Sequence, residues 1–238
     1  MTIAAELYDE QDSKRVCVMD AAGHLGSALV QRLLLERYTV HAAFQNHDEM
    51  QCFKGKYGCG DVDDSKSKKL ICFHADPLDY HSIIDALKGC CGLFYSFETP
   101  SDYPTYDESM GEMEVRAAHN VMEASAQTDT LNKVVFTSSA TAVLWGTRKR
   151  DQHDSPFVSH SHSYVDERDW TDINFCKRYK LWHGLSKTQA EKAAWALAMD
   201  RGVSMVLEDD IVYEQRISNK KLNKLMVGFD SQLEVQVN

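Results

Sequence analysis

KRVCVMDAAGHLGSALVQRLLLERYTVHAA, Lys14 to Ala43, decides the fold. Val16-Cys17-Val18-Met19 is a short apolar run suited to a buried parallel strand, and Thr39 to Phe44 is a second one. Between them Gly23 and Gly26 stand three apart, and Leu25, Leu29, Leu33 and Leu34 recur at helical spacing. Strand, glycine turn, helix and strand make a βαβ unit of the kind that opens a dinucleotide-binding sheet. In that unit the N–H groups at the helix N-terminus receive a pyrophosphate. Gly23 lets the backbone approach phosphates without a Cβ in the way, and Gly26 lets the helix lie close to the strand. Asp20 stands where the first glycine of a G-x-x-G-x-x-G turn belongs, and its carboxylate can hold the turn through nearby N–H groups. An ordinary tight turn is the alternative reading of the motif.

Further strands and helices alternate beyond this unit. Lys69 to His74 reads as the third strand, Tyr80 to Leu87 as a helix closed by Gly89, and Gly92 to Phe97 as the fourth strand. Met110 to Ala126 is a long helix with Met113, Ala117, Val121 and Ala124 on one face. Lys133 to Ser139 is the fifth strand, Phe175 to Met199 a second long helix with Ala193 and Leu197 facing inward, and Val203 to Leu207 the sixth strand. This rhythm predicts an α/β fold of the Rossmann type, a doubly wound parallel sheet with helices on both faces. The expected organisation is a mobile N-terminus over 1–13, a nucleotide-binding domain over 14–207 and a divergent tail over 208–238. Gln45 to Ser67 reads as helix remnants followed by an exposed loop.

Composition excludes several classes. With 43% hydrophobic and 10% aromatic residues the chain can fill a core, so disorder throughout is ruled out. Thirty-six acidic against 26 basic residues give a formal charge of −10, unlike the basic footprint of a nucleic-acid binder. No apolar run approaches the roughly 20 residues of a membrane span, and a soluble cytoplasmic protein acting on a small molecule is the default expectation. The seven cysteines are odd in number and include the adjacent Cys90 and Cys91, which favours free, buried thiols. His153, His160 and His162 lack the spacing of a metal site, so no metal is expected.

The chemistry is expected beyond the C-terminal ends of the strands. Ser139 ends the fifth strand, Thr99 follows the fourth, and Lys187 lies on the last long helix with His183 one turn before it. Such groups suit carbonyl reduction, in which hydride addition leaves an oxyanion that must receive a proton. Ser139 would bind the oxygen, His183 would supply the proton, and Lys187 would bond the cofactor ribose and bias the acid. A merely packed histidine is the competing reading of His183.

Over roughly residues 14 to 206 the sequence resembles the cinnamoyl-CoA reductase and dihydroflavonol reductase group of plant extended short-chain dehydrogenases/reductases. The residues that carry the likeness are VCVMDAAGHLGSALVQRLL, TVHAAF, HADPLDY, GCCGLFYSFETP, NVMEA, KVVFTSSATAV and VDERDWTDINFCKRYKLWHGLSKTQAEKAAWALAMDRGVSMV. The resemblance implies an NADPH-binding fold acting on phenylpropanoid-like carbonyls or thioesters, with the catalytic serine at Ser139, the ribose-binding lysine at Lys187 and the adenine-side aspartate at Asp76. The cofactor would lie along Asp20, Gly23, His24, Leu25, Gly26, Gln45, Asp76, Thr99 and Lys187. Three departures stand against that pattern. The family's Tyr-x-x-x-Lys reads His183-Gly-Leu-Ser-Lys187. The arginine expected after the second strand for a 2′-phosphate is replaced by Gln45-Asn46-His47, leaving His47 or Lys54 as substitutes. The family's C-terminal portion is replaced by a short unrelated tail, which would leave apolar surface open to self-association. A non-catalytic cofactor-binding or partner-binding descendant of such a reductase is the alternative function.

Overall fold

The computed structural model describes residues 14–57, 69–97, 107–145 and 170–209. Its core is a six-stranded sheet in the order β3-β2-β1-β4-β5-β6. The strands are β1 (Arg15–Met19), β2 (Thr39–Phe44), β3 (Leu70–His74), β4 (Gly92–Tyr95), β5 (Lys133–Ser138) and β6 (Met205–Asp209). All five pairings are parallel. The strand order reverses between β1 and β4, and the crevice expected there in a doubly wound sheet lies beyond Met19 and Tyr95, which sit side by side in the register.

Among the described residues, seven helical segments accompany these strands. They are α1 (His24–Leu35), α2 (His47–Tyr57), α3 (Tyr80–Leu87), α4 (Glu108–Ala126), a single 3-10 turn (Ala140–Ala142), α5 (Ile173–Tyr179) and α6 (Trp182–Arg201). Because both sheet faces are covered, the strands are apolar nearly throughout; Val16 to Met19 and Val40 to Phe44 are all buried. One core cluster holds Leu93, Tyr95, Phe136, Met110, Ala117 and Val121 together with Ala190, Ala194 and Ala198 of α6. The other packs Val30 and Leu33 of α1 and Phe53 of α2 against Val16, Val18, Val40 and Phe44.

Several expectations are corrected in detail. Residues 47–57 form a full helix rather than remnants, with Met50 and Phe53 buried against the sheet. The helix expected over Phe175 to Met199 is two helices, because Lys180 takes a left-handed conformation (φ 55°) that ends α5. The N–H groups of Lys180 and Leu181 then donate to carbonyls of the closing turn, Lys177 O at 3.3 Å and Cys176 O at 2.9 Å. The inward stripe of α6 runs through Ala190, Ala194 and Ala198, while Leu197 packs at its margin. β6 starts at Met205, two residues later than read from the sequence. Of the described cysteines, Cys17, Cys52, Cys90, Cys91 and Cys176 are unbridged thiols, but Cys72 is disulfide-bonded. Counting cysteines cannot show which sulfurs the fold brings within bonding distance. Expectations for residues 1–13, for Thr99, for His153, His160 and His162, and for the tail beyond residue 209 fall outside the described residues. Among the described residues, no helix is long and apolar enough to cross a membrane.

One buried polar cluster gives the fold a testable pH dependence. His41 on β2 bonds Ala86 O through Nδ1 at 2.7 Å, and Cys90 Sγ lies 3.4 Å from the same nitrogen. Burial first, and the nearby Arg15 guanidinium second, lower the His41 pKa to about 4 against the favourable Ala86 bond. The folded state thus disfavours the imidazolium. This destabilisation is absent above pH 6.5, grows as pH falls below the unfolded-state value and levels off below about 4. It amounts to about 3 kcal/mol. Urea midpoints between pH 7.5 and 4 should therefore fall more in the native chain than in His41→Phe. Equal slopes would remove His41 as the cause.

Candidate active site

The glycine turn comes first in the chain. Asp20 adopts φ 64°, a left-handed conformation natural to glycine and tolerated by aspartate. The turn is closed by main-chain groups: Gly23 N–H donates to Asp20 O at 3.2 Å, and Ala21 N–H donates to Ala43 O at 3.0 Å. The Asp20 carboxylate lies 3.5 Å from Ser96 Oγ across the β1–β4 crevice. Gly26 does what its spacing predicts, since a Cβ there would lie 2.0 Å from Asp20 O.

The start of α1 suits an anion. Asp79, Asp107 and Asp172 cap α3, α4 and α5 with their own carboxylates. The N-cap of α1 is Gly23, with no side-chain cap and no acidic residue in the first turn; α6 likewise starts from Leu181 without a side-chain cap. α1 follows β1 at the crevice beyond Met19, so its leading N–H groups at His24, Leu25 and Gly26 fit a pyrophosphate. The residues expected on the adenine side make local contacts. Asp76 follows β3 and accepts the Leu78 N–H at 2.8 Å in a local turn. Gln45 follows β2, His47 Nε2 lies 3.2 Å from Gln51 Nε2, and Asp48 and Glu49 occupy the first turn of α2.

The chemical end gathers on β5, the turn after it, and α6. Ser139 is buried as the cap of the 3-10 turn. Its Oγ accepts from Thr141 N–H at 3.3 Å and from the Thr141 hydroxyl at 3.0 Å. Thr141 Oγ1 is also 3.0 Å from His183 Nδ1. His183 thus meets Ser139 through an intervening hydroxyl. The turn is held in place by Thr171, which donates its hydroxyl to Thr141 O at 2.9 Å and its N–H to Ala142 O at 2.7 Å. Gly184 lets α6 approach it, since a Cβ at that position would lie 2.6 Å from Cζ3 of Trp145. Burial first, then Lys187, depress the His183 pKa below the ordinary histidine value, while Glu114 acts in the opposite direction.

Lys187 sits one turn further along α6. Its ammonium donates to Phe97 O at 3.2 Å, beyond the end of β4, and pairs with Glu114 Oε1 at 2.7 Å. Both side chains are nearly out of solvent, 11% and 3% exposed. The other Glu114 oxygen accepts the Ser186 hydroxyl. Sequence reasoning missed Glu114, although its position carries a signal: a carboxylate on the apolar face of α4, between Met110 and Ala117. Glu191 is a second buried carboxylate, accepting from Ser138 Oγ at 2.7 Å and from Trp170 Nε1 at 2.8 Å. Thr141 had no signal of its own within the run Ser138 to Val143. Among the described residues, no cluster of His, Cys, Asp and Glu could hold a metal.

No family model matches the sequence. The curated relatives do. Cinnamoyl-CoA reductase 1 of Petunia hybrida is 34% identical over 209 residues, which cover 87% of this chain and 57% of that protein. Other curated matches at similar identity include dihydroflavonol 4-reductases. Over these residues the chain is similar to members of the cinnamoyl-CoA reductase and dihydroflavonol reductase group. Among solved structures, vestitone reductase from alfalfa superposes with a TM-score of 0.62 at 26% identity, covering 81% of this chain and 55% of that one. The yeast reductase Gre2, solved with NADPH, shares the fold with a TM-score of 0.63 at 19% identity, covering 82% of this chain and 56% of that one. The chain spans a little over half the length of these relatives.

Proposed function

We propose that this chain is an NADPH-dependent reductase that converts a phenylpropanoid-like carbonyl or thioester by hydride transfer. One observation carries the proposal above the rest: a nucleotide-type turn, a buried serine and a buried lysine all stand at the C-terminal edge of one parallel sheet, beside its switch point. NADPH, when bound, supplies the hydride. The N–H groups after Gly23 would hold its pyrophosphate, with Gln45 and Asp76 toward the adenosine and Lys187 toward the second ribose. Ser139 would bond the substrate oxygen, and His183 would provide the proton from α6. The buried Glu114–Lys187 pair fixes the ammonium near Phe97 O and offsets its charge beside His183.

A cofactor-binding protein without turnover is the second reading. It is favoured by histidine in place of the family's tyrosine and by the Thr141 hydroxyl that stands between His183 and Ser139. Titration with NADPH and NADH, followed by assays with aromatic aldehydes and acyl-CoA thioesters, separates the two. Under the reductase reading, NADPH raises the melting temperature and is consumed, and Ser139→Ala lowers kcat at least about 30-fold with nucleotide affinity unchanged. Binding without consumption supports the second reading, and no response to either nucleotide removes both.

A further inference from the structure

We propose that Thr141 is the relay between His183 and Ser139, so that the proton reaching the reduced substrate passes along an imidazole–hydroxyl–hydroxyl chain. The inference rests on the reductase reading above. Three atoms define the chain: His183 Nδ1, Thr141 Oγ1 and Ser139 Oγ, joined by two contacts of 3.0 Å. Its direction follows from counting donors. Ser139 Oγ already accepts two bonds from Thr141, one from the N–H and one from the hydroxyl. Its own proton is then the one left to donate onward, to the substrate oxygen. Thr141 spends its proton on Ser139, so it accepts from Nδ1–H of His183.

The step balances. Hydride from NADPH adds two electrons and one hydrogen to the carbonyl carbon, and the C=O π bond becomes an oxyanion. The Ser139 O–H bond breaks as the product O–H bond forms. Thr141 passes its proton to Ser139, and His183 imidazolium passes the Nδ1 proton to Thr141 and ends neutral. Solvent then returns a proton to the imidazole. Oxidation of an alcohol would run the chain in reverse.

The arrangement is built by packing. Gly184 admits the Trp145 ring against α6, and Thr171 and Thr188 anchor the turn at Thr141 O and Ala142 O. Among the described residues, the charged groups acting on His183 include Lys187 on its own helix and Glu114 on α4. The turn over 140–145 contains no ionisable side chain. On α5 and its end, Lys177, Arg178 and Lys180 are exposed. Reduction needs the imidazolium, so kcat should decline as pH rises through a midpoint below the ordinary histidine value.

The test uses the full chain with NADPH and an aromatic aldehyde, comparing Thr141→Val, which removes the hydroxyl, with Thr141→Ser, which keeps it. The valine variant should lose at least about 30-fold in kcat, with KM for NADPH within about twofold and the alkaline limb of the pH profile, where kcat falls as pH rises, abolished. Serine should restore kcat to within about threefold and return that limb. Should valine disturb the turn, the dependence of native kcat on the deuterium fraction of the solvent decides: a bowed curve means several protons in flight, and a straight one overturns the relay. Turnover in Thr141→Val equal to the native rate overturns the relay alone. A native chain that consumes no NADPH overturns the reductase reading and the relay with it.

Discussion

Gly26→Ala is expected to destabilise the chain by at least about 3 kcal/mol and to abolish measurable nucleotide binding. The added Cβ would sit 2.0 Å from Asp20 O, 2.9 Å from Asp20 C and 3.0 Å from Ala21 Cα. These are main-chain atoms of the turn, so no side chain can swing aside to make room. Relief requires α1 to move off β1, which opens the contact of Val30 with the sheet and displaces the N–H groups at the start of the helix. A chain of this length loses roughly 2–4 °C of melting temperature per kcal/mol, so a drop of about 6–12 °C is expected. A variant that melts within about 2 °C of the native chain would show that the close approach of α1 to the turn is not as described.

Glu114→Ala is expected to cost about 3–5 kcal/mol, because it leaves the Lys187 ammonium nearly buried with its carboxylate partner removed. The pair joins α4 to α6 at 2.7 Å, and the same carboxylate accepts the Ser186 hydroxyl. Removing both charges is a different matter. Glu114→Gln combined with Lys187→Met keeps the volume, strands no ion and should regain most of the lost stability. Chemical denaturation of the single and double variants measures the coupling directly. Additive losses would show that the pair contributes nothing beyond two independent side chains. The double variant should be inactive as a reductase although its stability is regained, which separates the structural use of Glu114 from the chemical use of Lys187.

Much of this architecture could be read in advance from local patterns. The apolar runs, the 3.6-residue stripes and the break at Gly89 marked the strands and helices within a few residues, because each pattern expresses burial of a local face. The errors have local causes of a different kind. The break between α5 and α6 rests on one left-handed residue, Lys180, and lysine carries no signal for that conformation. α2 has few apolar residues and is held by Phe53 and Met50 against the sheet, a tertiary gain that propensity alone does not foresee. Ser139 and Lys187 were legible because strand ends and helix spacing place them. Glu114 was visible only as an acid on an apolar stripe, a signal that does not name its partner.

The order of residues by itself determined the parallel sheet, the glycine turn and the placing of Ser139, His183 and Lys187 near one edge, since all of these follow from short-range periodicity and from the rule that ligands gather beyond strand ends. Only the tertiary structure decided that His183 reaches Ser139 through Thr141 and that Lys187 is gripped by Glu114. Those contacts join residues 42 and 73 positions apart. They depend on how closely α6 packs on the turn after β5 and on α4, a distance set by the Trp145 ring over Gly184 and by the small residues along the helix interface, which no local pattern encodes.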